Sequence, residues 1–334
     1  MKTLIRLSLI CVFLLCGCAE RQSAVLPSGN VLAYLGRIPV RGVANDVATF
    51  GGRAYVADAP YGVSIYDLSN PSSPQLVDSI SLLDNSPKLI ALDPTGTVLA
   101  VQAASGIQIY DLHDNRWVLN TGSSNHYKID LRFQQDTLTI FRADRDAGDG
   151  FNVEKFVNVG TPDSLVFGAL QYFSRNDAGA YGFALDNLTN AYVCYDVMGF
   201  SILDYSTPIT AALIGQLNVP GRIRDAGLNG NVLCLAAGYE GIVTVNVSNP
   251  SNPVQLGSRI IPNATDIIRI IVVGNRAYLL DDYDGIFAVD VSTPADPVLI
   301  GTLNTSEPSG FSVLGDLIVV ADADEGLVVG QILY

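Results

Sequence analysis

The chain has 334 residues, 49% of them hydrophobic, and its 33 acidic against 19 basic residues give a formal net charge of −14. A chain of this length and composition can bury a large apolar core. The acidic balance and the lack of any basic stripe argue against nucleic acid as a partner and against electrostatic docking on anionic lipid.

The N-terminal region has the pattern of a secretory signal. A basic start is followed by an apolar run, Leu7–Leu15, that is too short to span a membrane. The run ends in Leu15-Cys16-Gly17-Cys18, which resembles the bacterial lipobox, whose last cysteine is lipidated. We therefore predict a signal peptide over residues 1–17, and a lipidated Cys18 with a flexible tether over 18–30. The alternative is an ordinary cleaved signal.

This signal predicts a cellular address. Ala19, directly after the lipidated cysteine, resembles the outer-membrane sorting pattern. We therefore expect a protein of the bacterial cell envelope, anchored to the outer membrane or cell surface rather than the inner membrane, with the acyl chains as its membrane contact. Cys194 and Cys234 lie in different repeats, which favours buried free thiols over a disulfide.

The same phrase recurs along the chain, as GVSIYDLSNPSSP from Gly62, GIVTVNVSNPSNP from Gly241 and GIFAVDVSTPADP from Gly285. Its opening glycine recurs at intervals of 41 to 49 residues, a period typical of a four-stranded propeller blade. The seven positions are Gly62, Gly106, Gly150, Gly199, Gly241, Gly285 and Gly326.

Each unit except the last contains four short alternating runs separated by turn residues, as in DVATF, RAYVAD, GVSIYDL and QLVDSISL of the first unit. We therefore predict an all-β, seven-bladed β-propeller of four-stranded antiparallel blades over residues 31–334. The last unit has three such runs, and Val31–Ile38 resembles a fourth, so the N-terminal strand should complete the last blade. Unit 3 fits the pattern poorly, and if it is an insertion the ring has six blades.

Third runs end in a carboxylate or amide that precedes a turn. Such a side chain can accept backbone N–H groups of the turn, and its recurrence indicates an architectural role rather than a catalytic one. These residues are Asp67, Asp111, Asp204, Asn246 and Asp290.

The repeat resembles the LVIVD-repeat family of bacterial extracytoplasmic proteins. The third-strand segments Gly62–Leu68, Gly241–Val247, Gly285–Val291 and Gly326–Val329 carry the resemblance, together with Ala54–Asp58 and Ala277–Asp281. It implies a β-propeller in the cell envelope, and it implies no particular chemistry because the family has no defined shared activity.

Loops that join neighbouring blades converge on the channel mouth, where propellers usually bind ligands. Aligning the units places seven differing residues at one position of the first strand, and their variation marks a candidate site. The residues are Asp46, Ile90, Ile129, Phe183, Asp225, Arg269 and Gly310. We take Asp46, Asp225 and Arg269 as the first binding candidates. Nearby on the same loops are Arg222, Arg224, Lys88, His126 and Lys128.

A second candidate is acidic and lies on the loops between second and third strands of units 1, 6 and 7. Oxygen-rich clusters of this kind suit Ca²⁺, although no EF-hand spacing is present. We expect no cofactor, with calcium as the alternative, to be tested by melting with and without a chelator. The carboxylates are Asp58, Asp281, Asp282, Asp284, Asp322 and Asp324.

Motifs for catalysis are sparse. The histidines, His113 and His126, are predicted on opposite faces, which argues against a histidine metal site or a serine triad. The leading hypothesis is a monomeric, lipid-anchored binding module that displays variable loops to an envelope protein, surface protein or glycan. The alternatives are a carboxylate- or metal-dependent hydrolase with its site at the channel mouth, and a purely structural envelope protein.

Overall fold

The structure is a computed structural model that describes residues 29–121, 126–134, 136–144, 150–158, 165–175, 178–186, 188–206 and 211–334. Within these ranges the chain forms seven four-stranded antiparallel sheets, which are the blades of a propeller. The predicted all-β, seven-bladed fold is confirmed, and unit 3 is a complete blade rather than an insertion. The described residues include no helix long and apolar enough to cross a membrane. The predicted signal peptide and Cys18 lie outside the described residues.

The strands follow the four runs of each unit. Blade 1 contains β2 (Val43–Phe50), β3 (Arg53–Ala59), β4 (Gly62–Asp67) and β5 (Gln75–Ile80), and blade 2 contains β6 (Leu89–Leu92), β7 (Val98–Ala103), β8 (Gly106–Asp111) and β9 (Arg116–Thr121). Blade 3 contains β10 (His126–Gln134), β11 (Thr137–Asp144), β12 (Phe151–Asn158) and β13 (Leu165–Phe173), and blade 4 contains β14 (Gly182–Leu185), β15 (Asn190–Cys194), β16 (Phe200–Asp204) and β17 (Ala212–Leu217). Blade 5 contains β18 (Asp225–Asn229), β19 (Val232–Ala236), β20 (Ile242–Asn246) and β21 (Val254–Arg259), and blade 6 contains β22 (Ile267–Val273), β23 (Arg276–Asp281), β24 (Gly285–Asp290) and β25 (Val298–Leu303). Blade 7 contains β26 (Pro308–Leu314), β27 (Leu317–Asp322), β28 (Gly326–Ile332) and β1 (Leu32–Ile38).

The N-terminal strand closes the ring, as the sequence predicts. Strand β1 pairs antiparallel with β28, from Leu32 opposite Ile332 to Ile38 opposite Leu327. The first described strand is therefore the outermost strand of the last blade, and it brings blade 7 to four strands like the other blades.

The blades pack face to face through the alternating residues of their inner strands. Between blades 1 and 2, for example, Val63 and Ile65 are buried against Leu99 and Val101. Comparable buried clusters join each neighbouring pair around the ring. Cys194 and Cys234 are buried free thiols in such clusters, as predicted.

The two ends of the ring differ in their loops. We call the end with the loops from strand two to three, and from strand four to the next blade, the mouth face. The opposite end, with the hairpins between strands one and two and the turns between strands three and four, is the turn face. On the turn face, the third-strand aspartates organise their turns as predicted. Asp67 Oδ1 accepts the Ser69 N–H at 2.7 Å, and Asp290 Oδ1 accepts the Ser292 N–H at 2.8 Å. The same bond recurs at Asp111, Asp204 and Asn246.

Candidate functional site

A ring of seven equivalent residues surrounds the channel just below the mouth face. The pairing of the strands defines it. Each ring residue lies on the first strand of its blade, opposite a second-strand residue. That second-strand residue pairs in turn with the third-strand residue directly after the repeat glycine. The ring is Asp46, Leu89, Lys128, Gly182, Asp225, Arg269 and Gly310. The sequence alignment was wrong by one residue in three units, where it placed Ile90, Ile129 and Phe183. The reason is that the loops of units 2, 3 and 4 differ in length from those of the other units.

Two ion pairs cross the ring, and each passes over a glycine. The Arg269 Nη1 donates to Asp46 Oδ1 at 2.6 Å, from blade 6 to blade 1. The Lys128 Nζ donates to Asp225 Oδ1 at 2.7 Å, from blade 3 to blade 5. The ring residue of the intervening blade is Gly310 in the first pair and Gly182 in the second. A Cβ at Gly182 would lie 2.6 Å from Asp225 Oδ1, so a side chain there would displace the carboxylate.

The two carboxylates are held in the same way. Asp46 accepts the N–H of Val47 through Oδ1, and the N–H of Ile90 in the next blade through Oδ2. Asp225 likewise accepts the N–H of Ala226 through Oδ1, and the N–H of Ile270 in the next blade through Oδ2. Both carboxylates are about 4% exposed, so their charges depend on these donors and on their cations.

The cation of the first pair is held firmly in its charged form. Burial by itself lowers the pKa of Arg269, but the ion pair with Asp46 and the nearby Asp225 more than offset this and raise it above its usual value. Lys128 is anchored a second time, because its Nζ also donates to the Phe183 carbonyl at 2.8 Å. We call the ring of seven residues the floor of the mouth. It carries two cations and two carboxylates, and within each ion pair the opposite charges neutralise one another.

One wall above this floor is aromatic and cationic. The rings of Tyr127 and Tyr181 stack with centroids 4.6 Å apart and planes 17° from parallel. The Arg224 guanidinium lies over the Tyr181 ring, 4.8 Å from its centroid, and its Nη2 donates to Asp266 Oδ2 at 3.3 Å. The pKa of the neighbouring Asp282 is raised, because the surrounding side chains partly desolvate its carboxyl group and the charge of Asp266 repels it. The positive charge of Arg224 acts in the opposite direction and lowers this pKa. We call Tyr127, Tyr181, Arg224, Asp266 and Asp282 the stacked wall.

Floor and wall enclose a cavity of about 490 Å³, large enough for a small ligand or a protruding side chain of a partner. Its other lining residues are mostly apolar, among them Leu89, Ile268, Ile270 and Phe311.

The predicted binding residues gather at the mouth to different degrees. Asp46, Asp225, Arg269, Arg224, Lys128 and His126 all border the cavity. Arg222 is not among the lining residues and pairs with Asp196 at 2.9 Å, and Lys88 is exposed at the start of blade 2. The His126 side chain is fully buried, and its Nδ1 bonds to Asp144, which also accepts from Asn152. His126 therefore borders the cavity without presenting its ring to a ligand.

The acidic candidates organise the mouth-face loops. Asp281 accepts four backbone N–H groups, from Thr265 and Asp266 on one oxygen and from Tyr283 and Asp284 on the other. Asp322 does the same in blade 7, where two loops again meet at one carboxylate. Asp58 accepts the Gly42 N–H and the Ser64 hydroxyl.

These bonds leave the three buried carboxylates little capacity to coordinate a cation. Asp282 and Asp324 are exposed and Asp284 is half-buried. No group of three or more residues suited to a metal is found within the ranges that the structure describes.

The stacked wall contains residues that sequence reasoning missed, namely Tyr127, Tyr181 and Asp266. The two tyrosines directly precede ring residues, as Arg224 does, and in blade 3 that position is a β-bulge. A correct ring alignment would have brought the three side chains together, because they occupy one position in blades 3, 4 and 5.

Comparison with known proteins gives two family matches. Residues 220–259 and 265–305 match the model of the LVIVD repeat. The chain carries two LVIVD repeats. They coincide with blades 5 and 6, and therefore contribute Asp225, Arg269 and Arg224 to the mouth. Residues 24–147 match a second model, described as a domain of unknown function (DUF7165), which covers the N-terminal strand, blades 1 and 2 and the first two strands of blade 3.

Solved structures support the fold alone. A chain in a crystal structure of the mitotic checkpoint complex aligns with a TM-score of 0.68 and 11% identity, covering 100% of this chain and 99% of that one. The crystal structure of the computationally designed Ika8 protein aligns with a TM-score of 0.59 and 12% identity, covering 90% of this chain and 100% of the other. Among curated proteins none matches the sequence.

Proposed function

We propose that this protein is a binding module of the bacterial cell envelope, anchored by a lipid on Cys18, that holds a ligand or partner at the mouth of its propeller. The observation that carries the proposal is the mouth cavity, where unlike residues of different blades combine charged, aromatic and apolar groups in one surface. Elsewhere in the repeat, equivalent positions carry similar residues and serve the architecture.

The geometry of the mouth favours binding without large rearrangement. The ion pairs of the floor and the stacked wall are already formed in the chain alone, so little side-chain freedom remains to be lost when a ligand enters. Floor and wall also offer both donors and acceptors at fixed positions, which is what selective recognition of a polar group requires.

The same geometry weighs against the hydrolase alternative. A catalytic carboxylate must reach the substrate as a base, acid or nucleophile. Asp46 and Asp225 instead use both of their oxygens on backbone N–H groups and on a cation. Both are held as structural anions, and their neighbours suit recognition better than proton transfer.

The proposal is tested by capturing partners from a bacterial envelope extract with residues 19–334, which contain the whole described ring. The mouth variant is Tyr181→Ala with Arg224→Ala. The control variant is Arg276→Ala with Tyr334→Ala, because this pair has the same cation–aromatic distance, 4.8 Å, but lies on the turn face.

We expect a protein or glycan that the wild type and the control variant retain and that the mouth variant loses. The floor variant Asp46→Ala with Arg269→Ala should lose it too. A partner retained equally by all variants would place the binding surface elsewhere, and no retained partner would refute the display role.

A further inference from the structure

The chain enters the propeller at the turn face. Leu32 lies opposite Ile332, whose N–H donates to the carbonyl of Asp316 in a turn-face hairpin. From there β1 climbs to Ile38, which lies opposite Leu327 at the mouth face. The seven residues of this strand correspond to a rise of about 20 Å.

The entry point is fixed by the architecture of the repeat. In blades 1, 5 and 6, the turn between strands three and four packs on a glycine in the outer strand of the preceding blade. A Cβ at Gly257 would lie 2.5 Å from the Ala295 carbonyl, and one at Gly36 would lie 2.5 Å from the Ser72 carbonyl. Blade 7 has no such turn, and the chain just before β1 takes its place against Gly301.

Contacts of Asn30 and Val31 with blades 6 and 7 hold this segment there. A Cβ at Gly301 would lie 2.8 Å from Asn30 Oδ1. The Asn30 side chain also donates to the Thr302 carbonyl at 2.7 Å and accepts the Thr302 N–H at 2.9 Å. On its other side, the Val31 carbonyl accepts the Leu333 N–H at 2.7 Å. Whatever precedes residue 30 therefore departs from the outer rim of the turn face.

We propose that, in the anchored protein, the turn face is directed towards the membrane and the mouth face towards the aqueous compartment. The mouth then receives a water-soluble or polymer-borne partner of that compartment, and it does not receive a lipid of the anchoring membrane. This inference rests on the lipid anchor of the proposed function.

The length of the linking segment supports this orientation. The eleven residues between Cys18 and Asn30 span at most about 40 Å when fully extended, and about 18 Å as a flexible chain. Bringing the mouth face to the membrane would require a rise of about 20 Å simply to pass the height of the blade, which is about half of the extended length and more than the flexible-chain distance. The resulting loss of chain entropy favours the arrangement in which the entry point is nearest the bilayer.

The charge of the turn face adds a second constraint. It carries the aspartates of the turns, including Asp67, Asp111, Asp204 and Asp290, which are needed there as backbone acceptors. Anionic head groups would repel this face. The propeller is therefore held above the surface by its linking segment rather than embedded in it.

Two single-cysteine labels in the same blade provide the test. Asp316→Cys lies on the turn face and Asp324→Cys on the mouth face, and both positions are exposed. Cys194 and Cys234 are buried and should not react. The full chain is produced in a bacterium that lipidates proteins, labelled with a fluorophore, and reconstituted into vesicles that contain a head-group nitroxide quencher.

We expect the label at residue 316 to be quenched at least twice as strongly as the label at residue 324. Equal quenching, or stronger quenching at 324, would overturn the orientation while leaving the anchor intact. Flotation with the vesicles, and its loss in Cys18→Ser, tests the anchor separately. Failure of the wild type to float would overturn the anchor and the orientation with it, and would leave partner capture at the mouth as an independent question.

Discussion

Replacing Gly310 by alanine should break the Asp46–Arg269 ion pair while leaving both charged residues in the sequence. Gly310 has an ordinary, negative φ, so its backbone accepts alanine without strain. The added Cβ would lie 2.9 Å from Arg269 Nη1 and closer still to Asp46 Oδ1. Because the two partners meet directly over this glycine, a methyl group there forces them apart.

The expected cost follows from the burial of the pair. Leaving one member of a buried ion pair without its partner costs about 3–5 kcal/mol. Here Asp46 keeps its two backbone N–H donors, and the Arg269 side chain is 24% exposed, so water can reach it. We therefore expect the lower end, a loss of about 3 kcal/mol in the free energy of unfolding.

The assay is equilibrium unfolding in urea, followed by far-UV circular dichroism on residues 19–334. The matched control is Gly29→Ala, where a Cβ would meet nothing within 4 Å, and it should leave the midpoint unchanged. A double-mutant cycle isolates the mechanism. In an Asp46→Ala background the methyl group has room, so Gly310→Ala should cost less than about 1 kcal/mol. A cost that is the same in both backgrounds would refute the reasoning.

Three further predictions concern the carboxylates of the mouth-face loops. Asp322→Asn replaces an oxygen that accepts two N–H groups by an amide donor, so it should lower the free energy of unfolding by about 2–3 kcal/mol in the urea assay. The control, Asp324→Asn at an exposed position, should change this free energy little. Equal effects of the two substitutions would contradict the role given to Asp322. Adding a chelator should leave the thermal midpoint unchanged, because the buried carboxylates are already used by backbone donors, and a shift of several degrees would instead support the calcium alternative. Burial raises the pKa of Asp84, but hydrogen bonds from Ser105, Ser86 and Ala104 outweigh this effect and lower the pKa to about 2. The ionised Asp84 therefore stabilises the fold above about pH 4, and this stabilisation is lost as the pH falls towards 2. Asp84→Asn should therefore narrow the difference in urea midpoint between pH 5 and pH 2.5, and an unchanged difference would count against this account.

Local patterns were sufficient to predict the fold. Alternation gave the strands, and the interval between repeat glycines gave the blades. The match between Val31–Ile38 and other fourth strands gave the closure. These signals survive because each blade must bury two faces against its neighbours, so every unit has to keep the same alternation. The turn aspartates could be predicted for the same reason, since the bond from Asp67 to the Ser69 N–H spans two residues.

The mouth could be predicted only in part. Aligned repeats indicate which residues lie near the channel, and this located Asp46, Asp225 and Arg269. The two residues of each ion pair are far apart in the sequence, by 97 residues in one pair and 223 in the other. Which residues meet also depends on the pairing register of the strands, which a change of one residue in a loop can shift. Blade 2 illustrates this: its ring residue, Leu89, and the paired Gln102 are 13 residues apart, whereas Asp46 and Ala57 of blade 1 are 11 apart. Its loop between strands two and three is one residue shorter than that of blade 1, so the ring residue moves by one position in all. Tyr127 and Tyr181 were missed because only hydrogen-bond register reveals that they stand one above the other.

The arrangement of the ring follows from the odd number of blades. Each ion pair occupies three consecutive blades, as cation, glycine and carboxylate: Lys128, Gly182 and Asp225 in one set, and Arg269, Gly310 and Asp46 in the other. Two such sets fill six blades and leave one position, in blade 2. A charge there would have no cation or carboxylate across a glycine to pair with, and burying it would be costly. The residue is Leu89, which is buried. The floor of the mouth is consequently neutral overall, and its one large apolar residue, Leu89, lies between the charged Asp46 of blade 1 and Lys128 of blade 3. A ligand that presents an apolar group over Leu89 and polar groups to the charges around it would match this arrangement.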